Sequence, residues 1–303
     1  MTRDEYRAQK AAKERMRRTE QKHKQAAKGS MDVPFLILTL LLTVVGLIML
    51  FSASFPRAYY DTGDGTFYFK RQALFAAVGL VTMFVVGKIN YQRWRGASRI
   101  LVGLALFLLI LVIIPHNPLA ITANNATRWL GIEGVFSFQP SEIAKLAVIV
   151  YFSDTISKKR EKMLTWRQGI LPYAALLGVG LGRSRQKFLY LPEQYNDFIF
   201  SVVCEELGLI GACVIMLIFA LLILRGFWIA LHARDRFGAL LVVGIMTHLA
   251  LQTFLNIAVV SGFVPTTGIS LPFFSYGGTA LCLQLVEMGI VLSVSRQIPA
   301  PKA

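Results

Sequence analysis

A chain of 303 residues that is 55% hydrophobic and only 16% charged, with a mean hydropathy of +0.55, is too apolar for an ordinary soluble domain. A formal charge of +15 would suit a nucleic-acid binder. Its cations, however, gather in the N-terminal arm, in alternate loops and at the C-terminal end. That is the positive-inside pattern of a membrane protein, and it leaves no nucleic-acid partner to be explained. Three cysteines (Cys204, Cys213, Cys282) lie in apolar runs without metal-type spacing and read as inert core residues.

Residues 1–31 carry ten Lys or Arg and four Asp or Glu. They predict a basic cytoplasmic arm without a cleavable signal. Residues 32–297 form the membrane domain, and 298–303 a cytoplasmic end. Apolar blocks of about 20 residues read as transmembrane helices. The first runs from Val33 to Ala53, followed by a polar loop from Tyr59 to Phe67 and a second span from Gln72 to Val86. Lys88 to Arg99 is basic and reads as a cytoplasmic loop. A third span, Ile100 to Ile114, leads to a long outer loop, Pro115 to Gln139. The fourth begins at Pro140, a residue favoured in the first helical turn, and ends at the basic run Lys158 to Lys162.

Ile170 to Gly182 is short for a straight crossing of about 30 Å and contains Pro172 and several glycines. It is either re-entrant or crosses a thinned bilayer. A crossing is needed here, because the next strong helix, Val202 to Leu224, again ends at cations (Arg225, Arg234, Arg236). Leu240–Val260 and Thr279–Val294 complete the chain. The expected fold is an all-α, polytopic helical membrane protein of about eight spans, with both termini inside.

Ionisable residues at membrane depth are candidates for function. Glu142 and Lys145 share one face at i,i+3, either as a structural ion pair or as the polar wall of a cavity. Glu205 and Glu206 suit the N-terminal part of their helix. Glu287 lies mid-span and needs a partner. His248, Gln252 and Asn256 recur every four residues as a stripe suited to interhelical hydrogen bonds. Arg128-Trp129 is either an interfacial anchor or a contact for an anionic head group.

Arg183, Arg185 and Lys187 alternate, so in extended chain they point the same way and suit a diphosphate or anionic lipid. Asp197 follows them at the mouth of an apolar helix, as a helix cap or as a proton acceptor. Gly262 to Gly278 is too rich in Gly and Pro for a helix and too apolar for an open loop. Such backbone is tolerated at this depth only where protein buries it or it lines a cavity.

Four motifs in order resemble the SEDS family (FtsW, RodA, SpoVE), and its FtsW/SpoVE branch in particular. They are Asn125-Ala-Thr-Arg-Trp-Leu130, Phe138-Gln-Pro-Ser-Glu-Ile-Ala-Lys145, Leu191-Pro-Glu-Gln-Tyr-Asn-Asp-Phe-Ile-Phe200 with Glu205-Glu-Leu-Gly208, and Pro265-Thr-Thr-Gly-Ile-Ser-Leu-Pro-Phe-Phe-Ser-Tyr-Gly-Gly278. The resemblance implies a peptidoglycan glycosyltransferase that polymerises lipid II at the outer face of the cytoplasmic membrane, in cell division or spore cortex synthesis. Asp197 matches the family's catalytic aspartate. Arg128, Trp129, Glu142 and Lys145 match cavity residues, Arg183, Arg185 and Lys187 lie beside them, and Ser275 joins the substrate-binding candidates.

A divalent cation (Mg or Mn), a class B penicillin-binding protein, other division proteins and membrane lipids are the implied cofactor and partners. Family members usually have ten spans. Here two helices' worth of sequence is missing, with a junction near 178–179. A non-catalytic division scaffold and a lipid II flippase are the alternatives.

Overall fold

The computed structural model describes residues 30–114, 119–123, 126–132, 136–158, 199–265 and 268–298. Within them lie seven long helices and a small sheet: α1 (Val33–Thr62), α2 (Phe67–Lys88), α3 (Gln92–Ile113), β1 (Ala120–Ala123), β2 (Ala126–Ile132), β3 (Phe136–Phe138), α4 (Pro140–Lys158), α5 (Ile199–Leu231), α6 (Arg236–Val260) and α7 (Gly278–Ser295). All but α4 are long and apolar enough to cross a membrane. The chain is a multi-pass helical membrane protein. The basic arm, the short fifth span and most of the C-terminal end lie outside the described residues.

Local sequence sets the helix ends. Asp32 caps α1 by accepting from the Phe35 N–H, Pro34 follows in the first turn, and Gly63 ends the helix in the left-handed region (φ 75°). Asp235 caps α6 in the same way, accepting from Gly238. The helices overrun the sequence expectation in three places. α1 continues through Pro56 to Thr62. Arg93, Arg95 and Arg99 belong to α3, not to a loop, and Arg225 lies within α5. Each overrun occurs where charged residues at a helix end resemble a loop by hydropathy alone. The outer loop also differs, because it folds into a three-stranded antiparallel sheet in the order β1-β2-β3. Its Thr-rich and aromatic strands satisfy their backbone groups by pairing with one another.

α5 is broken at Gly208 (φ 64°), which separates a short first segment from the long apolar one. Glu205 and Glu206 therefore stand at the end of that first segment, not at the start of a continuous helix. Glu206 accepts from the Ser52 hydroxyl of α1 (2.5 Å). Small residues let α2 and α7 approach closely. A Cβ at Gly289 would sit 2.6 Å from the Met83 carbonyl oxygen, and one at Gly79 would sit 2.6 Å from Leu285.

One end of the bundle is tied by charged and polar contacts. Arg225 grips Asp32 through two bonds (3.0 and 2.9 Å) and stacks on Trp228. The Asp32 N–H donates to Ser295, joining the start of α1 to the end of α7. Asp154 of α4 accepts from Arg95, Ser98 and Lys158. Tyr91, in the turn between α2 and α3, donates to Asp235 (2.6 Å). Burial, and then that carboxylate, push the Tyr91 hydroxyl far above the usual phenol range, so it stays protonated as the donor. The first and last described helix termini thus share the end that carries the short basic turns.

Arg225→Met would leave Asp32, 6% exposed, without its cation. The expected loss is about 3 kcal/mol, the low end for a broken buried pair because Arg225 is itself a third exposed. Thermal unfolding in detergent measures it.

Candidate active site

α4, α6, α7 and the irregular segment before α7 converge on one small, open cleft. Glu142 lines it from the first turn of α4, Gln252 from α6 and Gln284 from α7, and residues 270–277 form the remaining wall. Glu142 accepts from Lys145 at 2.7 Å, the i,i+3 pair expected from their spacing. Glu142 thus borders the cleft while paired with Lys145.

The wall from residue 268 to 277 is irregular backbone, and its polar groups find partners inside the protein. The Leu271 N–H donates to Ser275 Oγ (2.7 Å), and the Ser275 N–H returns to the Leu271 carbonyl (3.1 Å). Asn256 donates to the Ile269 carbonyl (2.7 Å). Gln72 of α2 bonds both the Ser275 carbonyl (3.3 Å) and the Gly277 N–H (3.2 Å). Phe273 takes a left-handed φ of 67°, rare for a bulky residue. It is held there by Phe219 and by α1, whose Gly46 lies against its carbonyl.

Behind the cleft the polar residues continue inward. Gln284 donates to Glu287 (3.3 Å), and the Nδ1 of His248 lies 3.5 Å from the other Glu287 oxygen. The latter is an ion-pair distance without hydrogen-bond geometry, since both His248 nitrogens otherwise lack a hydrogen-bond partner among the described residues. The expected stripe therefore divides its work. His248 faces Glu287, Gln252 faces the cleft, and Asn256 pins the wall.

Of the substrate-binding candidates from the sequence, Glu142 and Ser275 line this cleft and Lys145 joins through its bond to Glu142. Trp129 is half-buried on β2, opposite Ile121. Arg128 lies beside it on β2, its side chain outside the described residues. Arg183, Arg185, Lys187 and Asp197 also lie outside them. Ile199, two residues beyond Asp197, is fully buried. Among the described residues no three His, Cys, Asp or Glu side chains form a metal-binding group. The sequence reading gives Gln72 no role beyond opening a span, and it passes over Gln284 and Tyr276. A glutamine three residues before Glu287 in an apolar helix is the signal that was available.

The chain matches the cell cycle protein family of FtsW, RodA and SpoVE over residues 33–176 and again over 171–299. It belongs to that family. Stage V sporulation protein E of Bacillus subtilis is 35% identical over 361 residues, covering 89% of this chain and 98% of that protein. A Geobacter sulfurreducens protein named "Probable peptidoglycan glycosyltransferase FtsW" is 34% identical over 360 residues, covering 88% and 95%. Both alignments run over more positions than this chain's 303 residues. Each relative thus has positions with no counterpart in this chain. The two family matches meet at 171–176.

RodA of Thermus thermophilus shares the fold, with a TM-score of 0.70 at 24% identity, over 90% of this chain and 99% of that one. A chain from a peptidoglycan synthase complex, titled for the coordination of polymerization and crosslinking, gives 0.69 at 22% identity over 88% and 98%.

Proposed function

We propose that this chain is a peptidoglycan glycosyltransferase that polymerises lipid II at the outer face of the bacterial cytoplasmic membrane, in division or spore cortex synthesis. The observation that carries the reading is its match along nearly the full length of SpoVE and of an FtsW named for that activity. In this reading the 4-hydroxyl of the acceptor sugar attacks the anomeric carbon of the donor. A new glycosidic C–O bond forms as the bond from that carbon to the diphosphate oxygen breaks. Undecaprenyl diphosphate leaves with the electron pair, and Asp197 takes the hydroxyl proton.

Arg128, Arg183, Arg185 and Lys187 supply positive charge for the diphosphate, where negative charge grows as the bond breaks. Trp129, the Glu142–Lys145 pair and Ser275 contact the substrate. Mg or Mn is the proposed cofactor, with no residue assigned to it. The basic end of the bundle, with both termini, faces the cytoplasm. A class B penicillin-binding protein is the proposed partner, a reading supported by the structural neighbour, a chain from a peptidoglycan synthase complex.

Purified chain given lipid II and Mg or Mn is expected to produce glycan strands on a gel. Chelation with EDTA is expected to reduce them at least tenfold. Lipid II crossing liposomes without polymer would instead favour a flippase. Recruitment of the transpeptidase by a chain inactive in both assays would favour a scaffold, the reading that the internal deletion supports.

A further inference from the structure

We propose that Gln72 is a positioning residue for the glycosyl transfer, acting through the Ser275–Gly277 main chain that walls the cleft. The inference rests on the glycosyltransferase reading above. Gln72 is 1% exposed on α2 and does not itself line the cleft. Both ends of its side-chain amide are committed to one short stretch of backbone: Nε2 donates to the Ser275 carbonyl and Oε1 accepts from the Gly277 N–H. Arg71, the residue before Gln72, lies near Tyr276 between those two points. One helical side chain thus spans both ends of a three-residue stretch of the wall.

That wall needs an external clamp. It has no helix or strand to satisfy its backbone, and it contains Phe273 at φ 67°. Conformations of that kind persist only where the surroundings over-determine them. The amide of Gln72 is rigid and bidentate, so it fixes the orientation of the segment as well as its distance from α2. Misplacement of a site wall by about 1 Å costs on the order of 100-fold in rate. Removing the clamp changes the position of the wall without changing which side chains the substrate meets.

The test is Gln72→Met, which keeps length and burial but removes both bonds. At saturating lipid II its polymerisation rate is expected to fall at least tenfold, with the KM for lipid II changed less than threefold and the melting temperature nearly kept. Hydrogen–deuterium exchange of the same protein is expected to rise in peptides covering residues 268–277 and not in the helices. Unchanged exchange there would overturn the clamp, whether or not the wild-type chain polymerises. Raised exchange with a wild-type rate, or a rate loss that only tracks unfolding, would overturn the positioning role. A wild-type chain that makes no strands counts against the enzymatic reading alone, and the exchange result still decides the clamp.

Discussion

Asp197→Asn is expected to lower lipid II polymerisation by about 10²–10⁴-fold, the usual contribution of a positioned acid–base group. The substitution keeps side-chain size and hydrogen-bonding capacity but removes the basic oxygen. A helix cap would survive it, because asparagine caps as well as aspartate does. The two roles left open by the sequence therefore separate cleanly. A cap predicts full activity and an unchanged melting temperature, whereas a general base predicts lost activity with the fold intact. Glycan strands undiminished in Asp197→Asn would remove the residue from the mechanism.

Gly46→Ala is expected to be the most damaging small substitution in α1. Its Cβ would lie 2.3 Å from the carbonyl oxygen of Phe273 and 2.8 Å from the carbonyl carbon. Both are backbone atoms, so no side chain can rotate away. Phe273 is already left-handed and buried, with Phe219 and Phe274 around it, so it has little room to retreat. Overpacking of this kind costs about 1–3 kcal/mol, and relief moves the wall that carries Ser270 to Gly277. The melting temperature is expected to drop, and polymerisation to fall below a tenth of wild type. Gly103→Ala on α3, where a Cβ would meet nothing within 4 Å, is the matched control. It is expected to leave both unchanged or slightly raised. Wild-type behaviour of Gly46→Ala would contradict the close approach of α1 to the wall.

Span positions were legible because the bilayer demands long apolar segments, and basic residues mark one side. The pairing of Glu142 with Lys145 was legible from helical spacing alone, and the non-helical character of residues 262–265 and 268–277 from the Gly and Pro content of that stretch. The helix ends at Thr62 and Leu231 were not, since a charged residue inside a helix and one in a loop lower hydropathy equally. Arg225 belongs to α5 because Asp32, 193 positions earlier, supplies its partner. The sheet between α3 and α4 was hidden too, because each strand finds its backbone partners only across the sheet, not within its own sequence.

By itself the sequence determined the class of the protein, its family motifs and the spacing of its ionisable candidates. These properties reside in composition, spacing and local residue order. Only the tertiary structure decided that Gln72, Gln252 and Gln284, from three different helices, meet one strained wall beside Glu142. Contacts between residues some 200 positions apart depend on how the helices pack, and no local pattern encodes that.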